Sequence, residues 1–250
     1  REMTTIVFLH IPKTAGQTVH SELARIVGEK NVSPVRVHTQ ATPQTQFPSG
    51  FALYSGHIDW IALDDVPEDR FVFSVLRDPR ERIASFYLYL LKEAQALGPK
   101  ELEQPANTGK RTILSQSADD YFFSGPPNWQ KFIHDHYDNF YCSYFATKRM
   151  RGWVQREKLE PEVVMRRALR HARSLDAIYS VENLAPLEAD IERVTGKPIS
   201  VTRKFVNAGS APTDKKRWPL LIERIESDAN IARLETFAER DAEFMAKLGF

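Results

Sequence analysis

Two strand–loop–helix units constrain this chain more than any other feature. Thr5-Ile-Val-Phe-Leu-His10 is apolar on both faces instead of alternating, the pattern of a central strand in a parallel sheet. After a turn at 12–16, Val19, Leu23, Ile26 and Val27 fall at i, i+4, i+7 and i+8, the apolar stripe of a helix. The order recurs at Arg70-Phe-Val-Phe-Ser-Val-Leu76, where Arg77-Asp78-Pro79 leads into a stripe of Ile83, Phe86, Tyr87, Leu90 and Leu91. Pro79 suits a first helical turn and Asp78 an N-cap. Parallel strands need crossovers that cover the sheet, so the expected fold is α/β, with helices flanking a central four- or five-stranded parallel sheet. Residues 35–38 and 51–55 are weaker strand candidates, and 177–181 is a further one. The rest reads as mostly helical, ending in a pair of helices around 220–234 and 237–248.

With 250 residues and 42% hydrophobic side chains, the chain can bury one sizeable core, so residues 1–250 are expected to form a single domain. The polar stretch around 98–118 reads as a loop excursion or an acceptor-side lid. Lys and Arg number 34 against 33 Asp and Glu, so no global attraction to nucleic acid or anionic lipid is expected, and any anion site must be built locally. No apolar run approaches the roughly 18 residues of a membrane span. Cys142 is the single cysteine, which excludes an internal disulfide or a cysteine-rich zinc site and fits a reducing compartment. A soluble, cytoplasmic protein is the expectation, with the lumenal domain of an anchored enzyme as the alternative.

The chemistry begins at His10-Ile11-Pro12-Lys13-Thr14-Ala15-Gly16-Gln17-Thr18. A loop leaving a strand and opening a helix presents unpaired backbone N–H groups and the positive end of the helix dipole, a cradle for a phosphate-sized anion. It is not a Walker loop, because Lys13 precedes Gly16, whereas G-x-x-x-x-G-K-[ST] needs lysine after the second glycine. Arg77 follows a buried strand and Ser85 lies within the first two turns of the next helix. Both can face the groove above the sheet's carboxyl edge, where open α/β sheets bind ligands. Arginine offers a planar fork of donors to a phosphate, and serine adds a hydroxyl.

Together these strings resemble the sulfotransferases, and most closely the carbohydrate branch that includes heparan sulfate 2-O-sulfotransferase. Ile11-Pro-Lys-Thr-Ala-Gly-Gln-Thr18 is similar to that family's 5′-phosphosulfate loop, and Val75-Leu-Arg-Asp-Pro-Arg-Glu-Arg-Ile-Ala-Ser-Phe-Tyr87 to its 3′-phosphate motif. The resemblance implies a P-loop-NTPase-like three-layer fold and the donor 3′-phosphoadenosine 5′-phosphosulfate (PAPS), with 3′-phosphoadenosine 5′-phosphate (PAP) as product. It assigns Lys13, Thr14, Gly16, Gln17 and Thr18 to the 5′ side, Arg77 and Ser85 to the 3′-phosphate, and Arg203 to a basic loop over the donor.

Tyr54-Ser55-Gly56-His57 resembles the family's Y-x-G-H segment, whose histidine is taken as the catalytic base. An imidazole with a pKa near 6.5 suits proton abstraction at neutral pH. The resemblance therefore implies in-line sulfuryl transfer to a hydroxyl-bearing acceptor, a glycan by analogy. His57 would take the proton, and Lys13 would stabilise charge on the oxygen bridging to the 5′-phosphate. Asp59 and Glu182 are the next candidate bases. Close relatives carry a second histidine where Ser55 stands and often an arginine where Ser143 stands. No metal is expected, and His134 and His136 are read as solvated. A P-loop kinase or NTPase and a non-catalytic nucleotide- or glycan-binding module remain the alternatives.

Overall fold

The computed structural model describes residues 3–202 and 216–250. Its centre is a sheet of β1 (Thr5–Leu9), β2 (Leu53–Gly56), β3 (Arg70–Leu76) and β4 (Ala177–Ser180), in the order β2-β1-β3-β4. All three pairings are parallel, with Val7 set opposite Tyr54 on one side and Val72 on the other.

In β1, Ile6, Val7, Phe8 and Leu9 are all fully buried. Ile6 and Phe8 join Val19, Leu23 and Ile26 of α1 (Gly16–Val27). Val7 and Leu9 point to the opposite layer, which holds Tyr144 and Phe145 of the helix Phe140–Thr147 and Ala168 of the helix Pro161–Arg173. The strand's period of two thus sorts one apolar run into two cores and makes the three layers. Each such side chain stabilises the fold by about 1.5–3 kcal/mol relative to exposure.

The second unit follows its sequence pattern at the cap and departs from it in the stripe. Asp78 accepts a hydrogen bond from the Glu81 amide (3.1 Å) and Pro79 opens α2 (Pro79–Gln95). Ile83, Tyr87 and Leu91 are buried and join a third, helical core with Tyr121, Phe122, Ile133 and Phe237. Phe86 and Leu90, expected in the same stripe, are only half buried.

Three further stretches differ from expectation. Residues 35–38 make no fifth strand: Val37 forms one isolated parallel bridge to His57, and the chain then turns into the short 3₁₀ helix His38–Gln40. The Gln40 side chain accepts from the Arg36 and Val37 amides (2.7 and 3.0 Å), taking up donors that a ladder would need. The 98–118 stretch is partly helical: Pro99–Leu102 is followed by Thr108–Ser115, which buried Ile113 and a Lys110–Glu93 ion pair (3.1 Å) hold on α2. The expected terminal pair is one long helix, Asp228–Lys247, preceded by the short helix Arg217–Ile222. No glycine or proline interrupts 228–247, so nothing breaks the helix where the pair was expected to part. No helix among the described residues is long and apolar enough to cross a membrane.

Candidate active site

The β1–α1 loop is held in an unusual backbone conformation. Lys13 and Ala15 both have positive φ (67° and 62°), which costs a non-glycine residue about 1–3 kcal/mol and persists only where the surroundings enforce it. Buried Thr14 supplies one constraint by donating its hydroxyl to the Ile11 carbonyl at 2.7 Å. Gly16 supplies another, because a Cβ there would run into the His10 imidazole. His10 is itself buried and stacked on Phe8 (5.0 Å). Ala15, the N-cap of α1, has no side-chain cap to offer, and no acidic residue stands in the first turn. The helix therefore keeps its N-terminal donors and positive dipole available to an anion.

Arg77 ties the second loop to the first. Its amide donates to the Tyr141 hydroxyl (3.0 Å), which in turn donates to the Arg77 carbonyl (2.6 Å). Its Nη1 donates to the Lys13 carbonyl (3.2 Å), and its guanidinium lies 3.8 Å from Glu81. Lys13 Nζ sits 3.9 Å above the Tyr89 ring. Burial, then the charges of Arg77 and Arg217, lower the Lys13 pKa, while Glu93 opposes them. Burial and Arg217 likewise lower that of Arg77. Glu81 also receives the Arg217 and Trp218 amides (the shortest 2.8 Å), which brings the Arg217–Ile222 helix to this end of the groove.

His57 follows β2, and Gly56 before it has no room for a Cβ because the Arg36 backbone carbonyl passes against it. Nδ1 of His57 lies 2.8 Å from the His10 carbonyl oxygen. A carbonyl only accepts, so Nδ1 carries the proton and Nε2 keeps its lone pair. Burial lowers the His57 pKa most, the His10 carbonyl opposes it, and Arg36, His38 and Lys13 lower it further. The ring is thereby held neutral and able to accept a proton.

Lys13, Gly16, Gln17, Thr18, Arg77, Ser85 and His57 all line one groove of about 1060 Å³. Thr14 does not, since its hydroxyl is committed inside the loop. Arg203 lies outside the described residues. Of the reserve bases, Glu182 is on the groove wall, but buried Asp59 accepts from the Met150 amide (2.7 Å). Ser55 is sealed off, its hydroxyl bonded to His20 Nδ1 (2.8 Å). Ser143 bonds Arg156 Nη1 (3.1 Å), so an arginine reaches that position from the helix Trp153–Glu157. The reading of His134 and His136 as solvated is corrected. His134 pairs with Asp138 (2.7 Å) and stacks on Trp153, and His136 is packed against Phe86 and Phe132. No cluster among the described residues is suited to a metal ion.

The sequence reading missed His10, Tyr89, Arg217, His38, His136 and Arg151 on the groove wall. The basic run Lys215-Lys216-Arg217 before Trp218 was a usable signal for one of them. The others are brought in by tertiary packing.

These features amount to an α/β fold with a groove lined by Lys13, Arg77 and Arg217 above the carboxyl edge of its parallel sheet. The sequence agrees: a model of the sulfotransferase family matches residues 2–176, and the chain belongs to that family, enzymes of sulfuryl transfer. The crystal structure of a sulfotransferase from Alicyclobacillus acidocaldarius matches with 14% sequence identity and a TM-score of 0.40, over 92% of this chain and 99% of that one. No curated protein sequence matches the chain significantly.

Proposed function

We propose that this sulfotransferase uses PAPS as donor and a carbohydrate hydroxyl as acceptor, nearest in its motifs to the heparan sulfate 2-O branch. The observation that carries the reading is the convergence of the Lys13 loop, Arg77 and the proton-accepting Nε2 side of His57 on one groove. The residues suit a nucleotide bearing phosphates at both ends. Burial, Arg77 and Arg217 lower the proton affinity of Lys13, and burial and Arg217 that of Arg77, and a bound polyanion relieves the repulsion among these charges.

Gly16, Gln17 and Thr18 offer the start of α1 to the 5′-phosphosulfate, and Arg77 with Ser85 holds the 3′-phosphate. His57 Nε2 removes the acceptor proton as the acceptor oxygen bonds to sulfur and the bond from sulfur to the 5′-phosphate oxygen breaks. Lys13 faces the charge left on that oxygen, so its contact strengthens toward the transition state. Anchoring the far end of the nucleotide converts binding energy into alignment.

The test is transfer of labelled sulfate from PAPS to a panel of glycans, lipids and small alcohols. Incorporation into glycans, abolished by excess PAP, is the expected result. Labelling of lipids or simple alcohols alone would overturn the carbohydrate assignment, and no labelling of any class would overturn the donor assignment.

A further inference from the structure

The backbone of Arg77 lies outside both of the elements it joins. β3 ends at Leu76, whose carbonyl still accepts the Val181 amide (2.9 Å), and α2 begins only at Pro79. The amide and carbonyl of Arg77 therefore have neither a ladder nor a helix to pair with. One side chain takes both. The Tyr141 hydroxyl accepts from the Arg77 amide (3.0 Å) and donates to the Arg77 carbonyl (2.6 Å), which requires a group that can do both at once.

Tyr141 is itself firmly held. It is fully buried, and the Arg82 guanidinium of α2 lies 6.0 Å from its ring. Its amide, at the start of the helix Phe140–Thr147, donates to Asp241 Oδ2 (3.0 Å), and the Cys142 amide donates to Oδ1 (2.9 Å). Asp241 is buried on the helix Asp228–Lys247, so a carboxylate 100 positions away caps the helix that carries Tyr141. Asn139, the N-cap residue, has positive φ (49°) and makes no side-chain cap bond. It reaches into the long helix instead. Its amide donates to the Phe237 carbonyl (2.8 Å) and its Nδ2 to the Thr236 carbonyl (3.0 Å), while its Oδ1 accepts from the Arg240 and Asp241 amides (3.0 and 3.1 Å). Thr236 with Arg240 and Phe237 with Asp241 are the i, i+4 pairs that bond each other in an uninterrupted helix. Asn139 thus joins the two helices through their backbones.

Tyr141 is not on the groove wall. Its hydroxyl acts on the site through Arg77, whose guanidinium is tied to the Lys13 carbonyl (3.2 Å) and lies 3.8 Å from Glu81. Holding the backbone at both polar groups restricts where a long, rotamer-rich side chain places its guanidinium. Tyr144, on the same helix, is as deeply buried, but its hydroxyl donates to the Ile58 carbonyl (2.7 Å).

We propose that Tyr141 is a positioning residue for Arg77: it fixes the backbone from which the guanidinium enters the groove and thereby sets the preference for a nucleotide bearing a 3′-phosphate. The inference rests on the PAPS reading above for what Arg77 holds.

The test compares Tyr141→Phe with Tyr144→Phe, which removes an equally buried hydroxyl from the same helix without touching Arg77. Both should lower the urea midpoint. Only Tyr141→Phe should weaken PAP binding, by about 3- to 10-fold, while AMP binding stays as in the wild type. In turnover its KM for PAPS should rise by a similar factor with kcat unchanged. Added to Arg77→Ala, Tyr141→Phe should cost no further PAP affinity, because the guanidinium through which it acts is already gone. A wild-type ratio of PAP to AMP affinity in Tyr141→Phe, an equal change in Tyr144→Phe, or full additivity with Arg77→Ala each overturn the positioning role. The Arg77 Nε–H resonance, assigned with Arg77→Lys and followed by NMR without nucleotide, should shift in Tyr141→Phe and not in Tyr144→Phe. If the wild type binds PAP and AMP equally, the donor reading falls and this resonance decides alone: a shift upholds the positioning role, and an unmoved signal overturns it.

Discussion

At the Lys13–Arg77 end of the groove, the loop wall comes from two short stretches, 10–18 and 77–85, each the end of a strand running into a helix, with the Arg217–Ile222 helix beside them. At the His38–His136 end it comes from three separate segments: the 3₁₀ turn at His38–Gln40, the helix Pro127–Tyr137, and the turn bearing Arg151. His57 stands between them and feels both Lys13 and His38. The first end is a property of local chain geometry, while the second exists only once the helical core has brought distant residues together. The first end can therefore be read from short strings, and the second cannot.

Substitutions can break that division. His57→Ala should lower the chemical step by about 10²–10⁴-fold while leaving donor affinity nearly intact, because the proposed role of the imidazole is toward the acceptor; single-turnover transfer and PAP titration measured together check the separation. Lys13→Ala should lower the step by about 10²–10³-fold and weaken PAP binding as well, because its proposed contact is made in ground state and transition state alike. A Lys13→Ala protein with unchanged PAP affinity would detach Lys13 from the donor end. Gly16→Ala should destabilise the fold by about 1–3 kcal/mol in urea titration, since the new methyl must displace the His10 ring that packs there. A neutral result would mean the loop is free to open.

The smallest effects are those of pH. Transfer should fall as pH drops, because only neutral His57 accepts a proton. The lowered His57 pKa puts that fall below the ordinary histidine value of about 6.5, and a limb above it would point to another base. Stability has the same sign. His10 is held neutral well below its ordinary range, and His136 is lowered to about 3, chiefly by burial in both cases. Below about 6.5 the unfolded chain binds protons that these folded-state rings refuse, so stability is lost as pH falls from there toward the folded values. Urea midpoints at about pH 7.5 and 5.5 measure the loss.

The contrast between the two ends also explains what the sequence disclosed. β1, β3 and their helices were legible because their apolar periods are local, and β3 is found at Arg70–Leu76 as read. Lys13, Gly16, Arg77, Ser85 and His57 were singled out from short strings, and the structure sets all five on one groove. The uncertain fifth strand was lost to one side chain, Gln40, whose amide oxygen competes for the backbone donors. Thr14 was assigned to the 5′ side by the resemblance, but between two residues of positive φ its hydroxyl turns inward to the Ile11 carbonyl. His136 was read as solvated because no cysteine or second histidine pair completes a metal site by spacing, whereas its ring is stacked on Phe86 from α2, 50 positions earlier. No pattern of spacing within 127–137 discloses that contact.

We propose that one groove holds both phosphates of a 3′,5′-bisphosphorylated nucleotide, between the Lys13 loop and Arg77. The direct measurement is stabilisation of the folded protein by PAP compared with AMP, which lacks the 3′-phosphate, in the wild type and in Arg77→Ala. PAP at a hundredfold excess over its Kd should stabilise by about 2.7 kcal/mol, AMP at the same concentration by much less, and Arg77→Ala should erase most of the difference. Equal stabilisation by the two nucleotides, or a difference that survives Arg77→Ala, would contradict it.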